Sequence, residues 1–199
     1  IMPSLVGSEM CIRDRNLYCE TERLVMQVLP AYYNHQVLQF FMENKEHLEP
    51  WEAQRDKNFY TANYQRALLE VEYNQMVHKK MLRYYLFLKE NPDCIVGSVC
   101  ANNIRYGAFE NCSIGYKIHK QYCKQGYGKE SVEKLINILF SQYGMHRIEA
   151  MVHPKNQPSI ALLESVGFER EGIAREAARL SGSWQDMYRY SLLQKREEE

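Results

Sequence analysis

The chain has 199 residues, 45% hydrophobic and 25% charged, which is enough for one domain with a real core. Lys and Arg number 25 and so do Asp and Glu, so no net field marks the chain for nucleic acid or an anionic membrane. No apolar run approaches the roughly 20 residues of a membrane helix. The six cysteines show no CxxC pair and no zinc-type spacing to histidine, which fits a reduced, cytoplasmic chain in which several thiols act as small buried hydrophobes, with no metal site expected.

Leu5 to Arg15, LVGSEMCIRDR, has neither helical nor strand periodicity and lacks the apolar core of a signal peptide. It resembles a translated sequencing adaptor more than a folded segment. Residues 1–15 are therefore expected to be non-native or disordered, with one domain over 16–195 and a frayed tail over 196–199. Glu22 to Leu29 alternates Leu24, Met26 and Val28 against Val25 and Gln27 and predicts a first strand. Pro30 opens a helix containing Val37, Phe40 and Phe41 that fades by Glu46, and HLEPWEAQRD after it reads as a loop. Thr61 to Lys79 predicts a second helix bearing Tyr64, Leu68, Val71 and Gln75. Tyr84 to Lys89 and Cys94 to Ala101 form a strand pair around the turn Glu90 to Asp93.

The stretch from Cys112 to Phe140 organises the rest. CSIGYKI predicts a strand ending at Ile118, and Val132, Leu135, Ile136, Leu139 and Phe140 fall on one face of a helix stopped by Gly144. Between them lies Gln125-Gly126-Tyr127-Gly128-Lys129, glycine-rich and basic, where the helix begins. A helix start offers unpaired N–H groups and partial positive charge, and glycine lets backbone approach a ligand closely, so a phosphate or pyrophosphate suits it. Arg147 to His153 predicts a strand. Asn156 is a good N-cap for a helix with Pro158 in its first turn and Ile160, Leu163 and Val166 on its apolar face. Gly167 ends that helix, and Phe168 to Ala174 and Asp186 to Leu193 close the chain as strands around Ser181-Gly182.

This order, with the glycine loop before the third helix, resembles the GCN5-related N-acetyltransferase (GNAT) fold. The resemblance implies a single α/β domain with a mixed, largely antiparallel sheet, splayed between the fourth and fifth strands and flanked by helices. The family's phosphate loop, Gln/Arg-x-x-Gly-x-Gly/Ala, matches at Gly126 and Gly128 and departs at its first position, Cys123. HLEPWE, HRIEA, the Pro154-Lys155-Asn156 helix start, GFEREG and GSWQDM, in that order, are similar to ribosomal-protein alanine N-acetyltransferases.

The resemblance implies acetyl-CoA as co-substrate and a protein or peptide N-terminus as acceptor, with no membrane or nucleic-acid partner and a monomer or homodimer. The cofactor is expected on Tyr116, Lys117, Ile118, Lys124, Gln125, Gly126, Tyr127, Gly128, Lys129 and Asn156. Many acetyltransferases place a tyrosine acid seven residues after this asparagine. Here that position is Leu163, and Ser159 matches the serine proposed as acid in this branch. The glutamate bases of relatives fall on Met151 and Ala178, so no base carries over, and Glu52 is the expected helper of a water relay. Trp51 and Glu52 are expected to wall the acceptor cleft. For Trp51 a core plug is the alternative, and for Tyr116, Asn156 and Ser159 a purely structural role. Three other readings stay open. A small-amine acetyltransferase acting on an antibiotic or polyamine and a non-catalytic acyl-CoA-binding regulator share the fold. A dinucleotide-binding oxidoreductase would use Gly126-x-Gly128-x-x-Ser131 with Glu149, but the chain lacks a second mononucleotide-binding half.

Overall fold

Eight strands form one open sheet in the order β1-β2-β3-β4-β5-β6-β8-β7 in the computed structural model, which describes residues 17–195. The strands are β1 Tyr18–Glu20, β2 Leu24–Gln27, β3 Leu82–Leu88, β4 Gly97–Arg105, β5 Asn111–Ile118, β6 Arg147–Val152, β7 Glu169–Leu180 and β8 Ser183–Leu193. The expected separation of residues 1–15 and the frayed tail at 196–199 lie outside the described residues. Among the described residues, no helix is long and apolar enough to cross a membrane.

The middle of the sheet is buried on both faces, and β3 shows why. LRYYLFL is nearly continuous in apolar residues, as a strand covered on both sides must be. Leu82, Tyr84 and Leu86 face one core with α4, Tyr127–Ser141, and α5, Gln157–Ser165. Tyr85 and Phe87 face the other, with Val37, Phe40 and Phe41 of α1, Asn34–Glu43, and Leu69 of α3, Ala62–Val77. The helical period over Val132, Leu135, Ile136 and Leu139 puts all four in the first core.

Several elements depart from expectation. Tyr18–Glu20 adds an edge strand, paired antiparallel with β2, that is too short for alternation to reveal. The first helix breaks at Asn44, whose buried amide donates to Phe40 O at 2.7 Å and accepts from Lys120 N at 2.8 Å. A short α2, Lys45–Leu48, and a 3-10 turn, Glu49–Trp51, follow, so part of the expected loop is helical. In α3 the buried face is Gln65, Leu69, Glu72 and Met76, while Tyr64 and Val71 are exposed. Polar burial causes that shift: Gln65 Nε2 donates to Phe59 O at 2.6 Å, and Glu72 pairs with Arg83 at 2.7 Å. The closing strands run up to their turn, Ser181-Gly182, where both residues have positive φ.

One pairing is parallel. β5 and β6 match at Asn111↔Arg147, Cys112↔Ile148 and Ser113↔Glu149, and no further. Beyond that point β5 stays on β4 as far as Gly97↔Ile118, and β6 stays on β8 as far as Val152↔Tyr188. The two strands therefore diverge after Ser113, leaving a wedge in the middle of the sheet, between the fourth and fifth of the strands expected from the sequence.

Candidate active site

The wedge opens into a cleft of about 930 Å³. One wall is β5 from Ile114 to Ile118. The opposite wall is the end of β6 with His153, Asn156 and Ser159, and the floor of one end is the start of α4. Tyr116, Lys117, Ile118, Lys124, Gly126, Tyr127, Gly128, Lys129, Asn156, Ser159, Trp51 and Glu52 all line it. Gln125 does not: its side chain donates back to Gln121 O at 2.9 Å.

Where α4 begins, the backbone turns through two left-handed residues, Lys124 (φ 61°) and Gly126 (φ 88°). Glu130 N donates to Gly126 O at 3.0 Å, the first bond of the α4 ladder, so the amides of Tyr127, Gly128 and Lys129 precede it. Gly128 serves a different need. A Cβ there would lie 2.9 Å from Leu162 Cδ1 and 3.4 Å from Ile118 Cγ1, so the glycine lets α4 approach β5 and α5. Arg23, which no local pattern in the sequence singled out, braces this loop. Its Nη1 donates to Gln125 O at 3.0 Å, its Nε to Glu130 at 2.8 Å, and its guanidinium lies 4.5 Å from the Tyr127 ring centroid.

Across the wedge, Asn156 caps α5, its Oδ1 accepting from Ser159 N at 3.2 Å. Ser159 Oγ lies 2.7 Å from the phenol oxygen of Tyr116, which also lies 3.1 Å from Ser159 O. Burial pushes the Tyr116 phenol up to about 12, against the opposing pull of its bond to Ser159, so it stays protonated at neutral pH.

Trp51, also on the cleft, is 37% exposed, which is not the burial of a core plug, and its ring centroid lies 5.9 Å from that of His153. Glu52 is the cleft's one carboxylate among the described residues, and both its oxygens are engaged. Oε1 meets Lys117 Nζ at 2.7 Å and Oε2 meets Arg55, whose guanidinium lies over Phe41 and Phe59. Met151 faces the cleft and Ala178 sits in the β7–β8 hairpin opposite Gln185. Neither supplies a base. His153, at the end of the strand expected from the sequence, lines the cleft, with Nδ1 accepting from Lys155 N at 3.1 Å and Nε2 3.4 Å from Gln185 Oε1. No cluster of three metal-ligating side chains occurs among the described residues.

A cleft with helix-start amides at one end, unladdered strand backbone along its middle and a hydroxyl pair at the wedge can hold a phosphorylated, extended acyl carrier. Comparison with known proteins agrees. Residues 12–169 match the acetyltransferase (GNAT) domain. The chain is 32% identical over 144 residues to a Bacillus subtilis protein named "Probable N-acetyltransferase YjcK", covering 72% of this chain and 79% of that one. It is 30% identical over 168 residues to the [ribosomal protein uS5]-alanine N-acetyltransferase of Escherichia coli, covering 83% and 85%. Mycobacterium smegmatis RimJ, solved in complex with CoA-disulfide, shares the fold with a TM-score of 0.82 at 23% identity, over 88% of this chain and 86% of that one. The chain is an N-acetyltransferase of the GNAT family and belongs to its RimJ/RimL-like branch.

Proposed function

We propose that this enzyme transfers the acetyl group of acetyl-CoA to the α-amine of a protein N-terminus, alanine or serine first, by direct attack in a ternary complex. The observation that carries the reading is the cleft's charge inventory. It holds Lys117, Lys124 and Lys129 but a single carboxylate, Glu52, already committed to Lys117 and Arg55. A lysine ε-amine, with a reference pKa near 10.4, is almost wholly protonated at neutral pH and calls for a strong base. An α-amine, near 7.7–8.0, is partly neutral already. The same inventory disfavours a polyamine, which an acidic pocket would suit better.

In this reading the amides of Tyr127, Gly128 and Lys129 meet the pyrophosphate at the positive end of α4, with Lys124 beside them. The backbone of Tyr116 to Ile118 and the side chain of Asn156 hold the pantetheine arm. A backbone N–H in the wedge stabilises the oxyanion of the tetrahedral intermediate, an effect worth about 3 kcal/mol per donor in comparable sites. Trp51 packs on the incoming peptide, and Glu52 assists a water that takes the amine proton. Ser159 donates to the leaving sulfur. Positioning carries most of the rate. A ribosomal protein, the acceptor named for the Escherichia coli relative, would place the reaction in the cytoplasm.

The test follows free CoA thiol with acetyl-CoA and an Ala-initiated peptide. Thiol release that needs the peptide is expected. Acetyl-CoA binding with no release for any amine would instead make the protein a regulator.

A further inference from the structure

We infer that Tyr116 is a positioning residue for acetyl transfer: its phenol donates to Ser159 Oγ and so leaves the Ser159 proton free to meet the departing sulfur. The inference rests on the proposed role of Ser159 and adds the residue that gives it direction. A serine hydroxyl has one proton and two lone pairs, and helical serines usually spend the proton on a carbonyl in the preceding turn. The other helical serines here do so. Ser131 donates to Tyr127 O at 2.8 Å, Ser141 to Asn137 O at 2.6 Å and Ser165 to Leu162 O at 2.8 Å. Ser159 stands in the first turn of α5, with its amide held by the Asn156 cap, and its Oγ meets Tyr116 at 2.7 Å instead.

That bond crosses the wedge, from β5 to α5, where both side chains line the cleft. Two proton arrangements fit the distances. The phenol donates either to Ser159 O at 3.1 Å, taking the serine proton in return, or to Ser159 Oγ at 2.7 Å. The 2.7 Å contact is a hydrogen bond in both arrangements. Only in the second does the serine proton point away from Tyr116 and stay available to sulfur, and the variants at positions 116 and 159 decide between them. With its ionisation pushed up to about 12 by burial, the phenol remains a donor throughout the working range.

As the C–S bond breaks, its electron pair moves to sulfur and Ser159 Oγ–H donates a hydrogen bond to the developing thiolate. A thiol, near pKa 8.5, is a stronger acid than this phenol, so the pair stabilises the thiolate without surrendering a proton. The proton lost by the amine leaves through water, and water supplies the one that sulfur finally takes.

The experiment compares Tyr116→Phe, Ser159→Ala and the double variant for kcat, KM, acetyl-CoA affinity by calorimetry and thermal melting. Tyr116→Phe should lower kcat about ten-fold, with acetyl-CoA affinity within about two-fold of wild type, and the double variant should be no slower than Ser159→Ala. Wild-type kcat in Tyr116→Phe beside a slow Ser159→Ala would overturn this inference alone, as would losses that multiply in the double variant. Wild-type kcat in Ser159→Ala would overturn the proposed role of Ser159 along with it. Should Tyr116→Phe fail to fold, fluorotyrosine at position 116, a stronger donor of nearly the same shape, is expected to raise kcat at neutral pH. An unchanged rate would overturn the inference.

Discussion

Gly126 and Gly128 sit two residues apart and are glycine for different reasons, so they should answer substitution differently. At Gly128 an added methyl meets the free end of Leu162, which can turn aside. Gly128→Ala should therefore weaken acetyl-CoA binding only a few-fold. Gly128→Asp puts a carboxylate at the helix start, where phosphates are to bind, and should weaken it on the order of 100-fold in calorimetry. Equal affinity in both would move the pyrophosphate elsewhere. Gly126, at φ 88°, would be strained by any side chain, about 1–2 kcal/mol for alanine. Both glycines and Asn156 were legible in the sequence, because a helix start announces itself through neighbours a few positions away. The Tyr116–Ser159 bond was not, since it joins residues 43 apart, and neither was the engagement of Glu52 by Lys117.

The glycine loop before α4, the proposed pyrophosphate site, is held as an element by a segment far from it in sequence. Arg23, at the head of β2, ties Gln125 O and Glu130 together, and Thr21 Oγ1 adds a bond to Glu130 at 2.6 Å. Burial pushes the Glu130 carboxyl up, but the bonds from Thr21 and Arg23 outweigh it and leave it lowered. The brace is thus complete above the ordinary glutamate range, near 4.3, and is lost as pH falls through the lowered value. Arg23→Ala should raise the acetyl-CoA dissociation constant several-fold at neutral pH while shifting the melting temperature little, because the Arg23 side of the pair is open to solvent and Glu130 keeps its bond from Thr21. Unchanged affinity would make the brace incidental. Periodicity revealed α4 because its buried face is almost wholly apolar. It missed the true face of α3, where Gln65 and Glu72 are buried beside Leu69 and Met76. It also missed β1, whose three residues are too few for a pattern.

At the scale of the molecule, the site exists because one sheet is made to part. β5 and β6 share three residue pairs and then follow different neighbours, which opens the cleft between them. Both strands read as ordinary strands in sequence, so their divergence left no local trace; only the resemblance carried by the glycine loop and the GFEREG segment implied it. The segment from Trp51 to Arg55, proposed to receive the acceptor, is set against this cleft by an isolated bridge between Ala53 and Leu180 and by the Lys117–Glu52 pair. These contacts leave the site well built for positioning and poorly supplied with base. The most direct measurement is a competition for acetyl-CoA between an Ala-initiated peptide and the same peptide with its N-terminus blocked and an internal lysine free, read by mass. Preferential acetylation of the free N-terminus is predicted. Faster modification of the blocked, lysine-bearing peptide would contradict the assignment.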